Sequence, residues 1–114
     1  MPSTQRLSRS AVTILLSDPQ LKVIFNRSGT LKYTKNLDFK GFTVVTSSKN
    51  QKKAVLRNKL RRQLYSLFRS YIKENKDISA ITGMLYVSKQ IYDLSYKDLQ
   101  PYFYDLLSKI EKNT

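Results

Sequence analysis

Seven cations stand in KKAVLRNKLRRQLYSLFRSY, residues 52 to 71, at Lys52, Lys53, Arg57, Lys59, Arg61, Arg62 and Arg69, with the side-chain amide of Asn58 between them and no acid in the stretch. An Arg fork makes bidentate contacts to phosphate oxygens, a Lys ammonium adds a point charge, and an amide holds backbone or base edge. That chemistry is recognition of a polyanion. The chemistry left out is as informative. With no Cys and no His, thiolate nucleophiles, zinc fingers, zinc deaminases and Ser-His-Asp triads are excluded. No side chain supplies a general base near neutrality by default.

The charge is localised. Residues 1 to 48 carry seven basic and two acidic groups, residues 49 to 76 ten and one, and residues 77 to 114 four and five, which accounts for the net charge of +13. An excess confined to one short window marks a binding face rather than general solubilisation. At 40% apolar residues over 114 positions, the chain is expected to be one folded domain, residues 1 to 114, and not a disordered basic tail. The apolar run from Ala11 to Leu16 contains Thr13 and stops at Asp18-Pro19, far short of a signal sequence or a membrane span. A cytoplasmic protein without membrane association is expected.

The elements that position the cations follow from periodicity. Val12, Leu15 and Leu16 recur at helical spacing behind Ser8 or Ser10, giving a short first helix. Leu21 to Asn26, Thr30 to Lys35 and Phe42 to Ser47 are β-branched or aromatic runs between turn signals at Ser28-Gly29 and Lys40-Gly41, which predicts three strands in a meander. Leu56, Leu60, Leu64, Leu67, Phe68 and Tyr71 then fall within about a 120° arc of a helix turning roughly 100° per residue. With Leu56 as zero, Tyr65, Asn58, Arg69 and Arg62 lie at about 180, 200, 220 and 240°, opposite that arc. Arg57 and Arg61 lie nearer its edge, where a long stem packs on the core and the guanidinium reaches outward. Lys52 and Lys53 open the helix beside its free N–H groups. On that reading Arg57→Ala and Arg62→Ala both weaken binding without loss of fold. Asn75 and Lys76 end the helix, and Met84 to Ser88 reads as a fourth strand. Ser95 with Asp98 is a capping-box candidate for a last helix carrying Leu99, Phe103, Leu106, Leu107 and Ile110. Pro101 is awkward there, so that helix either kinks or begins near Asp98. The order α-β-β-β-α-β-α is an α+β, single-domain two-layer sandwich with one sheet face covered by helices.

These residues resemble a known signature. SSKNQKKAVLRNKLRR, Ser47 to Arg62, is similar to the conserved segment of the bacterial ribonuclease P protein component family: Ser47 and Lys49, then Lys53-Ala54-Val55, then Arg57-Asn58 with Lys59 replacing a final Arg, then Arg61-Arg62. Weaker likeness extends to Arg6-Leu7 and to Leu94-Ser95-Tyr96. The resemblance implies a ribosomal protein S5 domain 2-like fold with a left-handed crossover through the basic helix. It also implies ribonuclease P RNA and precursor tRNA as partners. Hydrolysis would be performed by the RNA with Mg²⁺ held mainly by RNA, and the protein, non-catalytic alone and monomeric in the ribonucleoprotein, would assist removal of the 5′ leader.

The expected RNA contacts are Ser47, Lys49, Lys52, Lys53, Arg57, Asn58, Lys59, Arg61, Arg62, Tyr65 and Arg69. The family usually carries aromatics in its first helix toward the leader. Here Val12, Ile14 and Leu15 stand there, leaving base stacking to Phe25, Tyr33 or Phe42 on the strands. Residues 76 to 83 (KDISAITG) are longer than the family's usual connection, and Lys22 to Gly29 reads alternatively as the end of the first helix. A general or ribosome-associated RNA-binding protein is the competing reading. An autonomous nuclease finds no support in Asp18, Asp38, Asp77, Asp93 and Asp98, which are scattered singly.

Overall fold

The computed structural model describes residues 8–35, 37, 41–47, 49, 51–75 and 81–110. Arg6-Leu7 and residues 76–80 of the long connection lie outside them. Helix α1 spans Arg9–Leu16. The Ser8 hydroxyl accepts from the Ala11 N–H at 3.1 Å and satisfies one of the free donors of the first turn. Strands β1 (Lys22–Asn26) and β2 (Gly29–Thr34) form an antiparallel hairpin, so residues 22 to 26 are strand and not an extension of α1. After β3 (Gly41–Val45) comes α2, Ala54–Glu74, ended at Asn75. Strand β4 (Thr82–Val87), a 3₁₀ turn (Lys89–Asp93) and α3 (Tyr96–Ser108) complete the chain. The Ser95 cap accepts from the Asp98 N–H at 3.3 Å, and Pro101 sits inside α3 on its exposed side. The helix therefore starts at Tyr96, forgoing the one bond that Pro101 would donate to the carbonyl four residues back.

The three early strands do not form a meander. Sheet order is β1-β2-β4-β3, with β4 antiparallel to β2 and parallel to β3. β3 and β4 are thus parallel neighbours joined by a crossover through α2. The reason lies in burial: β4 is buried at five of its six positions, and a strand covered on both faces belongs at the centre. β1 alternates half-buried and exposed, as an edge strand with one solvated face does.

The inner face carries Leu31, Tyr33, Phe42, Val44, Leu85 and Val87, all at or below 7% exposure and all in one core with the buried stripes of α2 and α3. Phe42 is its hub, stacked on Phe68 at 4.1 Å and tilted against Phe103 at 6.2 Å. Leu15 and Met84 are buried apart from this core, and α1 contacts β2 and β4. α1 therefore covers the opposite, outer face, and leaves part of it open.

Candidate nucleic-acid interface

The basic residues sit where β3 runs into α2. The intervening loop is held internally. The Ser47 N–H donates to the Tyr92 hydroxyl at 3.3 Å, Gln51 N–H to the Ser47 carbonyl at 3.0 Å, and Lys53 N–H to Gln51 Oε1 at 3.2 Å. Arg57 Nη1 closes it by donating to the carbonyls of Gln51 and Lys52 at 2.8 and 3.0 Å. Lys53 occupies the N-cap position with no side-chain cap. The first-turn N–H groups, Lys52 and Lys53 thus present positive potential at one end of α2.

Lys49, Lys52, Lys53, Asn58, Lys59, Arg62 and Arg69 are exposed, and Ser47, Arg57, Arg61 and Tyr65 are half-buried. Arg61 joins helix to sheet: Nη1 donates to Thr46 Oγ1 at 3.1 Å and Nη2 to Asn58 Oδ1. Arg57 and Arg62 differ in kind, since only Arg57 also fastens the loop. Tyr65 departs most from its expected place. Its ring packs edge-on to Phe42 at 5.9 Å, and its hydroxyl accepts from the Val44 N–H at 3.1 Å. α2 buries a wider arc than expected because Ile72 is buried too while Leu56 is only half-buried, which rotates Tyr65 onto β3.

Of the three strand aromatics, Tyr33 and Phe42 are 1% and 0% exposed, so neither ring is accessible to a base. Both alternate onto the inner face, where α2 and α3 cover them. Phe25 is 72% exposed and points to the outer face. Strand register puts it in one cross-strand row with Thr30, Tyr86 and Val45, beside a second row of Val23, Lys32, Met84 and Thr43. The Lys32 ammonium lies 5.2 Å from the Tyr86 ring, a cation–π contact. Tyr86, Lys32 and Val23 were not legible as site residues. Alternation in LKVIFN and MLYVS marks which residues share a face, but only the strand order makes Phe25 and Tyr86 one surface. The row ends at Val45, next to Thr46 and hence to Arg61.

Among the described residues, no group of three His, Cys, Asp or Glu side chains gathers to hold a metal ion. No helix among them is long and apolar enough to cross a membrane.

A small basic α+β module with an exposed aromatic sheet face beside a cationic helix is the class of protein that meets an extended polyanion. The Ribonuclease P family model matches residues 1–111, and the chain belongs to that family, the bacterial ribonuclease P protein component. It is accordingly a subunit of the ribonuclease P holoenzyme involved in processing the 5′ leader of precursor tRNA. The fold is similar to that of the RNase P protein from Thermotoga maritima, with a TM-score of 0.74 at 21% identity over 94% of this chain and 98% of that one. A Staphylococcus aureus RNase P protein mutant with defective mRNA degradation activity gives 0.73 at 20% identity, over 90% and 85%. The S. aureus RNase P protein gives 0.63 at 18% identity, over 95% and 90%. No curated protein sequence matches the chain significantly.

Proposed function

We propose that this chain, a single RNA-binding domain, uses two adjoining surfaces in the holoenzyme. The exposed cations Lys49, Lys52, Lys53, Lys59, Arg62 and Arg69, with Asn58, bind the phosphate backbone of ribonuclease P RNA, while Arg57 and Arg61 shape the loop and the helix edge toward it. The outer sheet face takes the single-stranded leader of precursor tRNA. Bases stack on Phe25 and Tyr86, and Lys32 neutralises phosphate. Tyr33, Phe42 and Tyr65 support this face from beneath and do not touch RNA.

The observation that carries the reading is the continuity of the two surfaces. Arg61 on α2 donates to Thr46 at 3.1 Å, one residue from the end of the Phe25–Thr30–Tyr86–Val45 row. An RNA strand leaving the helix therefore meets the aromatic platform directly. Hydrolysis belongs to the RNA and its Mg²⁺; the chain binds and orients substrate, as a monomer within a cytoplasmic ribonucleoprotein.

Reconstitution with a bacterial ribonuclease P RNA at low Mg²⁺ tests this. Addition of the chain should stimulate leader removal, and affinity for RNA should fall with salt by about 0.7 to 0.9 in log–log slope per neutralised phosphate. Arg62→Ala should lower that slope by one such step without loss of fold. RNA affinity independent of salt, or no stimulation of cleavage, would overturn the proposal.

A further inference from the structure

The β1–β2 turn, the 3₁₀ turn and the middle of α3 border a half-open pocket of about 150 Å³ lined by Arg27, Gln90, Ile91, Leu94 and Tyr102. A cavity of that size accommodates one six-membered aromatic ring. Its walls combine three chemistries. Ile91 and Leu94 are apolar, Gln90 is exposed and offers both an amide donor and an acceptor, and the exposed Arg27 guanidinium lies 6.0 Å from the centre of the Tyr102 ring.

The cavity is built rather than incidental. Ser28 is fully buried, and both its N–H and hydroxyl donate to Asn26 Oδ1, at 2.8 and 2.6 Å. The Asn26 amide in turn donates to the Tyr102 carbonyl at 2.7 Å and to Asp105 at 3.0 Å, tying the turn to the opposite wall. Ser88 fastens the third side, its hydroxyl donating to the Arg27 carbonyl at 2.7 Å and its N–H to the Ser28 carbonyl at 3.0 Å. At Gly29, with φ at +148°, an added Cβ would collide with the Tyr86 carbonyl oxygen. The backbone there admits only glycine. Walls fixed in this way lose little freedom when a ligand enters.

Position identifies the ligand. The turn lies at the same end of the sheet as the loop into α2, because Asn26, Gly29, Val87 and the end of β3 share that end in the register. Arg27 follows the exposed Phe25 by two residues, roughly 7 Å along an extended chain.

We infer that this pocket is a subsite for one nucleotide of single-stranded RNA, its base held between Leu94 and Tyr102 with an edge toward Gln90, and its phosphate on Arg27. The inference rests on the RNA-binding reading given above.

Titration of the ¹⁵N-labelled chain with UMP tests the subsite. UMP should shift the Gln90 side-chain amide and the Ile91 and Leu94 backbone signals. Absence of UMP shifts at these residues refutes it. Arg27→Gln, exposed and outside the core, then identifies the source of the nucleotide. It should lower the salt slope by about 0.7 either for the chain with ribonuclease P RNA alone, or for the holoenzyme with precursor tRNA. An unchanged slope in both refutes the phosphate contact. Arg62→Ala, run in parallel, separates the two proposals: a retained Arg62 effect with none from Arg27 removes only this subsite, and loss of both removes the RNA-binding reading as well.

Discussion

Truncating the two rings of the outer face, Phe25 and Tyr86, should weaken leader binding in a calculable way. Phe25 is 72% exposed, so Phe25→Ala removes almost no packing and should change stability by no more than about 0.5 kcal/mol. Tyr86 is half-buried beside Lys32, so Tyr86→Leu keeps apolar bulk and gives up chiefly a cation–π contact of about 0.5 to 1 kcal/mol. Base–aromatic stacking is worth about 1 to 3 kcal/mol per base, which is a loss of roughly 5- to 150-fold in affinity for each substitution. The rings sit two strands apart in one row, about 10 Å at the usual strand spacing. At that distance each holds its own base, and the double variant should be additive to within about 0.5 kcal/mol. The assay is equilibrium binding of precursor tRNA to the reconstituted holoenzyme, with a leader of several nucleotides and with a leader of one. The long-leader substrate should lose affinity and the short-leader substrate should not. Equal losses for both substrates, or no loss for either, would refute the assignment of this face to the leader.

Three further outcomes concern the frame that holds these surfaces. Gly29→Ala places a Cβ against the Tyr86 carbonyl at a φ of +148° and should cost about 2 kcal/mol or more in urea denaturation; a change below about 0.5 kcal/mol would show that the turn relaxes freely. Leu64 is 0% exposed on the inner stripe of α2, so Leu64→Ala should cost about 2 to 5 kcal/mol, while the fraction still folded binds RNA with unchanged salt slope. Burial raises the Tyr71 phenol above its ordinary value of 10.0, and burial followed by the nearby Glu74 charge raises Tyr104. The two rings meet edge-on at 4.9 Å. The folded chain therefore holds these protons more tightly than the unfolded chain, and the stability they contribute, complete below about pH 10, is lost as pH rises through the raised values. Chemical denaturation across that range should show the decline, and Tyr71→Phe with Tyr104→Phe should flatten it.

Much of the helical architecture was readable because helix signals are local. Ser95 caps where its type and spacing place it, Ser8 is one of the two caps offered for α1, and the 3.6-residue period puts Leu60, Leu64, Leu67, Phe68 and Tyr71 on the buried stripe of α2, although Leu56 is only half-buried and Ile72 joins the stripe. The exposed cations of that helix follow from the same period. Strand order was not readable by sequence adjacency, since pairing is a non-local choice. β4 takes the centre because residues 82 to 87 are buried on both faces, separating β2 from β3.

The composition and spacing by themselves determined that this chain meets a polyanion, and that its cations gather at the start of one long helix, because charge and helical period are written residue by residue. Only the tertiary structure decided which aromatics are free. Tyr33, Phe42 and Phe25 are alike as strand aromatics, yet two are sealed under α2 and α3 and the third stands in water. The face a strand residue occupies is fixed by which layer packs against it, and that is settled by the whole sheet rather than by the strand.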